Sequence, residues 1–379
     1  MTVQAWVTLT ISIPYLLLLT MMSVGWRRVK RVRSGVNLTG TPPSISVVIA
    51  VRNEQKNLDD LLEALSRQDY PRDRWEVVVV DDHSGDASKA LLDKWEQKQD
   101  LPVRVMSLIS GEAGKKAALS RGIDATRGEL IVTTDADCQM GPQWLASTAH
   151  FYQKHQPSLI FGPVLFECSR GNFFTHFQSL ELLTLLGTAA GSSSLGHPLF
   201  GNAANMAFPR KLLERVDDPF AGSVVSGDDT LLLLKVKKLP HAYVAFNPDL
   251  RAKVETPPAQ NLKDFWSQRK RWASKSRHYR DFDILGVGLV VLVFNLWLLA
   301  LLAGSFFHAA FLMPLLMGFL FKSAADSILL IPLTRHFGRP QLWKAFFPAQ
   351  LVYPFLSTLP ALAGQLVGFK WKNRRYHVN

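Results

Sequence analysis

The chain has 379 residues, a formal net charge of +12, 47% hydrophobic residues and two cysteines. That length supports one large or two ordinary domains, and two cysteines, Cys138 and Cys168, exclude a disulfide framework and a metal-finger spacing. The charge does not indicate nucleic acid, because its densest clusters (27–33, 269–280 and 370–375) flank apolar segments, where anionic lipid headgroups account for them, and no nucleic-acid-binding module accompanies them.

Residues 1–26 carry no charged side chain and are long enough to cross a bilayer. Arg27, Arg28, Lys30, Arg31 and Arg33 follow rather than precede this stretch, so it reads as an uncleaved anchor. The positive-inside rule then puts the basic linker, 27–43, and the domain after it in the cytoplasm. Ser44 to Val51 is predicted as a buried strand, followed by a helix whose Leu58, Leu61, Leu62 and Leu65 fall at helical spacing. Val77 to Val80 is a second strand ending in Asp81 and Asp82. A helix over about 87–98, a strand over 103–108, a helix from near Gly114 and a strand into Thr133 and Thr134 complete the pattern. Strands alternating with helices predict a mostly parallel sheet wrapped on both faces.

In such a sheet ligands sit beyond the carboxyl ends of the strands. Those ends carry Arg52 and Glu54, Asp81 and Asp82, and Asp135 and Asp137. On an extended chain, residues i and i+2 face the same way, so Asp135 and Asp137 can meet one cation. The plainer reading is a solvated Asp-rich turn. A GxGxxG fingerprint and a Walker loop are both missing, which argues against a plain dehydrogenase or a P-loop enzyme.

The run Val51-Arg52-Asn53-Glu54, Val80-Asp81-Asp82-His83-Ser84, Gly114-Lys115-Lys116 and Asp135-Ala136-Asp137 resembles the nucleotide half of the family 2 glycosyltransferases. Gly227-Asp228-Asp229 and Gln268-Arg269-Lys270-Arg271-Trp272 extend the resemblance to the membrane-integrated members with a QxxRW motif. The match covers roughly 44–280 and implies a GT-A fold, Rossmann-like, in a cytoplasmic domain (44–261) with an interfacial helix (262–281), flanked by transmembrane helices. By this resemblance Asp81, Asp82, Glu54, Lys115 and Asp135 bind the nucleotide, with Asp82 on the uracil and ribose. Asp135 and Asp137 hold Mg²⁺ or Mn²⁺, Asp137 most directly. Asp229 is the general base with Asp228 beside it, where the family usually has Glu-Asp. Gln268, Arg271 and Trp272 meet the diphosphate and acceptor, and Gly201 and Asn202 shape the acceptor side. Arg269 and Lys270 are assigned to lipid headgroups, Cys138 and Trp144 to packing.

Beyond 282, two spans, 284–303 and 306–333, precede a third apolar segment over 346–369 and a basic tail, 370–379. Lys322 and Asp326 are spaced to pair within the second. Pro348, Pro354 and Pro360 make the third either a bent span or a re-entrant segment. The expected protein is an integral protein of a bacterial inner membrane that moves a sugar from a nucleotide-sugar donor, a UDP-sugar, to a membrane-embedded or lipid-linked acceptor. Its partners are donor, lipid or glycan acceptor and membrane lipids. A processive polysaccharide synthase and an inactive scaffold that keeps the nucleotide fold are the other readings.

Overall fold

The computed structural model describes residues 2–376 apart from 33–34, 37, 39, 169–170, 218–227, 276–278, 367–368 and 372–373, and the side chains of 228 and 366–376 also lie outside the description. The chain divides into two compact units. A sheet unit comprises Val29–Glu167 and Phe200–Pro257; a helical unit comprises Met1–Arg28, Cys168–Leu199 and Pro258–Asn379.

In chain order, α1 (Val3–Lys30) leads to β1 (Ile45–Val51), α2 (Leu58–Ser66), β2 (Trp75–Asp81), α3 (Ser88–Lys98) and β3 (Val103–Ser107). Then come α4 (Lys115–Ala125), β4 (Leu130–Asp135), β5 (Gln139–Met140), α5 (Trp144–His155), β6 (Leu159–Phe161) and β7 (Val164–Phe166). These strand and helix positions follow the alternation expected from the sequence. The seven-stranded sheet has the order β3-β2-β1-β4-β8-β6-β9, with β8 (Met206–Pro209) and β9 (Val244–Phe246) added after α6 (Phe173–Ser194). β8 runs antiparallel to β4 and β6, and the other pairings are parallel. β1 is almost wholly buried because helices cover both of its faces, which is why it reads as an unbroken β-branched run. Leu58, Leu61, Leu62 and Leu65 of α2 are all buried in the main core, as their spacing requires. On the other face α4 lies so close to the sheet that a Cβ at Gly122 would overlap Val48.

The sheet unit closes with α7 (Asp228–Lys237) and β10 (Val254–Thr256), which pairs with β5 and β7 in a small second sheet. The helical unit adds α8 (Leu262–Ser274), α9 (Phe282–Ser305), α10 (Leu312–His336), α11 (Trp343–Tyr353) and α12 (Leu359–Leu366). Among the described residues four helices are long and apolar enough to cross a membrane: Val3–Lys30, Phe282–Ser305, Ala309–His336 and Pro340–Gln365. The last contains one wide turn, Pro354–Thr358, where proline removes a backbone donor and the helix adjusts its pitch. α6 has no polar stripe; buried residues occupy all its faces, and it belongs to the helical unit although it interrupts the sheet unit in sequence. Gly25 of α1 and Gly191 of α6 bring the two backbones together so closely that a Cβ on either would overlap the other helix.

Lys322 and Asp326 do pair, at 2.6 Å, and both are buried. Lys322 also donates to Gln350 at 2.7 Å, and the Tyr15 hydroxyl donates to the second Asp326 oxygen at 2.6 Å. Three helices are thus joined through one saturated polar cluster.

Candidate active site

β1 lies at the centre of the site. In register, Val51 faces Asp81 on β2 and Ala50 faces Asp135 on β4, so the two carboxylate-bearing strand ends flank it. Two inter-strand steps separate them, about 10 Å.

On the β2 side, the loop after β1 and the loop after β2 are stapled by side chains. Asn53 N–H donates to Ser84 Oγ at 2.9 Å, and Asn53 Oδ1 accepts from Gly85 N–H at 2.8 Å. Glu54 N–H donates to Ser88 Oγ at 2.8 Å, and Gln55 and Ala87 continue the ladder through Gln55 N–H to Asp86 and Ala87 N–H to Gln55 Oε1. Asn53 and His83 hold φ of 52° and 53°, a left-handed turn that Asn tolerates better than most residues. Asn53 and Ser84 are positioning residues that sequence reasoning passed over; the Asn-Glu and Asp-Asp-x-Ser-Gly turns were their signal.

Arg52 lies against Asp82, its Nη1 donating to the Asp82 carbonyl at 2.6 Å and standing 3.6 Å from the carboxylate. Asp81 is equally buried, and its Oδ2 accepts from Ser84 N–H at 3.2 Å. Its Oδ1 has no hydrogen-bond partner among the described residues. A buried carboxylate oxygen left unpaired is costly, so Asp81, which the resemblance set beside Asp82 on the nucleotide, can accept a hydrogen bond from a bound N–H donor. Glu54 Oε2 accepts from Asn57 at 2.7 Å and so also caps the turn into α2.

On the β4 side, the expectation of an extended Asp135-Ala136-Asp137 needs correcting. The chain turns there, with Cys138 N–H donating to the Asp135 carbonyl at 3.2 Å. The last β1–β4 pair is Ala50 with Asp135, and a tight turn at 136–137 then takes Asp137 off the ladder. Asp135 is ion-paired to Lys115, the first residue of α4. Gly114, at φ 97°, makes the turn that delivers Lys115, a conformation L side chains rarely adopt. A lysine ammonium therefore provides part of the neutralisation that the sequence assigned to a cation.

Cys138 is fully buried with Sγ 3.8 Å from Asp137 Oδ1, and burial followed by the Asp135 and Asp137 charges pushes its thiol well above the usual range. It is a packed residue, as expected. Among the described residues no three His, Cys, Asp or Glu side chains gather as a metal cluster. Asp135 and Asp137 nonetheless offer an all-oxygen, half-exposed pair beside a thiol held protonated, a donor set that suits Mg²⁺ or Mn²⁺ once diphosphate and water oxygens complete the sphere.

The third station abuts β4 through β8. The turn Ala203–Asn205 precedes β8, and Thr133 Oγ1 of β4 donates to the Ala203 carbonyl at 2.7 Å. The Ala203 N–H donates to Asp229 Oδ2 at 3.3 Å, and Thr230 N–H donates to Asp229 Oδ1 at 2.7 Å. One residue, Ala203, thus connects the strand of the Asp pair to the carboxylate at the start of α7. Asn202 spends its Oδ1 on Ala204 N–H at 3.0 Å, and a Cβ at Gly201 would overlap the Phe161 ring. Trp144 is buried and donates to Asn205 at 3.1 Å, a packing role. Gly227 and the side chain of Asp228 lie outside the described residues.

In the helical unit, Gln268, Arg271 and Trp272 of α8 are half-buried. Arg269, assigned to lipid headgroups from its place on the helix, is instead buried and paired with Glu181 of α6. Its partner is 88 residues away, out of reach of any local pattern.

Residues 46–217 match the family model described as glycosyl transferase family 2. The glycosyltransferase AglE of Haloferax volcanii is 28% identical over 51% of this chain and 60% of its own length. The dodecaprenyl-phosphate galacturonate synthase of Rhizobium johnstonii is 33% identical over 31% of this chain and 35% of its own. The chain thus spans less than two thirds of either relative. Among solved structures, the mannosyltransferase PcManGT from Pyrobaculum calidifontis, in complex with GDP-Man and Mn²⁺, superposes with a TM-score of 0.58 over 96% of this chain and 99% of that one, at 18% identity. Sheet order, strand-end carboxylates and the family match agree: residues 46–217 match glycosyl transferase family 2, and the chain carries a GT-A fold.

Proposed function

We propose that the chain is a divalent-metal-dependent, inverting glycosyltransferase that moves a sugar from a nucleotide-sugar donor to a membrane-embedded or lipid-linked acceptor. The observation that carries this reading is the convergence, around β1 and β4 of a family 2 domain, of Asp81, the Asp135–Asp137 turn and Asp229. Asp81 Oδ1 accepts from the base of the nucleotide, with Asp82 locked by Arg52 behind it. Lys115 holds Asp135 in place, and Asp137, at the tip of the turn, is the principal metal ligand. Mg²⁺ or Mn²⁺ held there supplies charge neutralisation for the leaving diphosphate.

Asp229, oriented by two backbone N–H groups, takes the proton of the acceptor hydroxyl as its oxygen attacks the anomeric carbon. The anomeric carbon–phosphate oxygen bond breaks on the opposite face, and the nucleoside diphosphate departs with the electron pair. The roles of Gln268, Arg271 and Trp272 on diphosphate and acceptor rest on the motif. A planar guanidinium suits paired phosphate oxygens, so Arg271→Lys is expected to lose most transfer.

The lipid acceptor is supported by four helices apolar enough to cross a membrane and by a relative named for a dodecaprenyl phosphate. The apolar helices anchor the chain in a bacterial inner membrane with the basic cluster and the sheet unit on the cytoplasmic side. The test is to incubate detergent-solubilised protein with UDP-sugars and GDP-mannose, a total lipid extract and Mg²⁺ or Mn²⁺, and to analyse products by mass spectrometry. A single glycolipid that vanishes with Asp137→Asn or EDTA supports the reading; a long polymer or no transfer with any donor overturns it.

A further inference from the structure

Arg269 occupies a variable position of the QxxRW stretch, yet all three of its guanidinium nitrogens are engaged. Its Nε donates to Glu181 Oε2 at 2.9 Å, its Nη2 reaches the same oxygen, and its Nη1 donates to Gln268 Oε1. The guanidinium lies 4.2 Å from the Phe265 ring centroid and 4.3 Å from that of Trp272. Glu181 in turn accepts from Ser357 Oγ at 2.8 Å through its other oxygen. Ser357 lies in the wide turn of the last apolar helix, and a few residues on Gly364 packs where any Cβ would collide with the Lys270 carbonyl.

These contacts constrain two motif residues. Arginine has donors and no acceptor, so Gln268 must offer it the carbonyl oxygen. That choice fixes the amide and leaves its two N–H donors directed elsewhere, the arrangement needed to meet a phosphate or sugar oxygen. Trp272 commits a ring face to the same cation, which fixes its plane. We infer that the buried Glu181–Arg269 pair is a positioning device for the QxxRW motif, setting the Gln268 amide and the Trp272 ring, with Ser357 and Gly364 tying the last apolar helix to the same device. The inference rests on the proposed transfer reaction for its effect on turnover, and on the geometry alone for its effect on Trp272.

The full-length protein in detergent, labelled with 5-fluorotryptophan, separates the two. The Trp272 fluorine line is identified by its loss in Trp272→Phe. Arg269→Lys keeps the charge but cannot cover two rings and two oxygens at once. It is expected to shift or broaden the Trp272 line while leaving that of Trp144 in place. Turnover, with whichever donor and lipid extract serve the unsubstituted protein, is expected to fall about 100-fold, as for a small misplacement of a binding group, with KM for the donor unchanged. The paired substitution Glu181→Met with Arg269→Met removes both buried charges and is expected to fold but not to regain turnover.

An unmoved Trp272 line in Arg269→Lys, or normal turnover in the paired variant, overturns the inference. Failure of both variants to fold overturns it too, by assigning the pair to stability. Normal turnover in Arg271→Lys would instead remove the motif from the reaction, and the Trp272 line would still report on the positioning.

Discussion

The two units treat the same pair of residue types in opposite ways. Lys115 and Asp135 of the sheet unit pair with side chains 24% and 37% exposed, whereas Lys322 and Asp326 of the helical unit pair at 1% and 8%. The first pair is partly exposed, and nearby Asp81 keeps a carboxylate oxygen without a partner among the described residues. Around the second, Tyr15 and Gln350 add a hydrogen bond to each partner from two other helices. Glu181 and Arg269 follow the second pattern. The comparison teaches that an ion pair in this chain is read by its surroundings, not by its charges: a partly exposed pair among strand-end carboxylates marks chemistry, a buried pair bonded to neighbouring helices marks their alignment.

The largest effect expected from breaking this contrast is on the proposed base. Asp229→Asn can still accept one of the two backbone N–H groups through its single amide oxygen but cannot take a proton, so turnover should fall about 100- to 10,000-fold with donor binding intact by calorimetry. In the saturated cluster the cost moves from rate to stability. Asp326→Asn strands the Lys322 charge and should lower unfolding stability in detergent by about 3–5 kcal/mol, while Lys322→Met with Asp326→Met recovers much of it. Gly201→Ala tests a position where the two effects meet. Its methyl must displace the Phe161 ring, at about 1–3 kcal/mol, and the shift passes through the 202–205 turn to Asp229, so stability and turnover should fall together.

The smallest expected effect is at Tyr70, a saturated group of the sheet unit remote from the strand ends. Its hydroxyl donates to the Pro43 carbonyl at 2.6 Å, and Tyr70→Phe should cost about 1 kcal/mol with unchanged turnover. Burial pushes the phenol above its ordinary value of 10.0, with Arg74 partly opposing. The neutral form is favoured in the folded state, so this stability is complete below pH 10.0 and is lost as pH rises through the raised folded value. The phenylalanine variant should lack that alkaline loss in a pH series of unfolding midpoints.

Strand ends were legible in the sequence because β1, β2 and β4 are buried runs that stop at charged residues, and local composition determines where such runs stop. The Lys322–Asp326 pair was legible because helical spacing alone sets it. The turn at Asp135 was not, since a strand and a turn share the same Asp-x-Asp wording. Nor was Arg269, where helical periodicity names a face but not what covers it. Its partner Glu181 lies in α6, a helix with no polar stripe to announce it.

α6 has one more consequence, for the order in which the chain can be completed. β8 fills the slot between β4 and β6, yet both of those strands are synthesised before α6 and β8 after it. Until residue 209 has left the ribosome, two strands present open edges to each other across an empty position, and the 22-residue helix is synthesised in the interval. For the same reason, no trimming of the chain ends can release the sheet unit by itself. It takes an internal excision of Cys168–Leu199 and a bridge from Glu167 to Phe200.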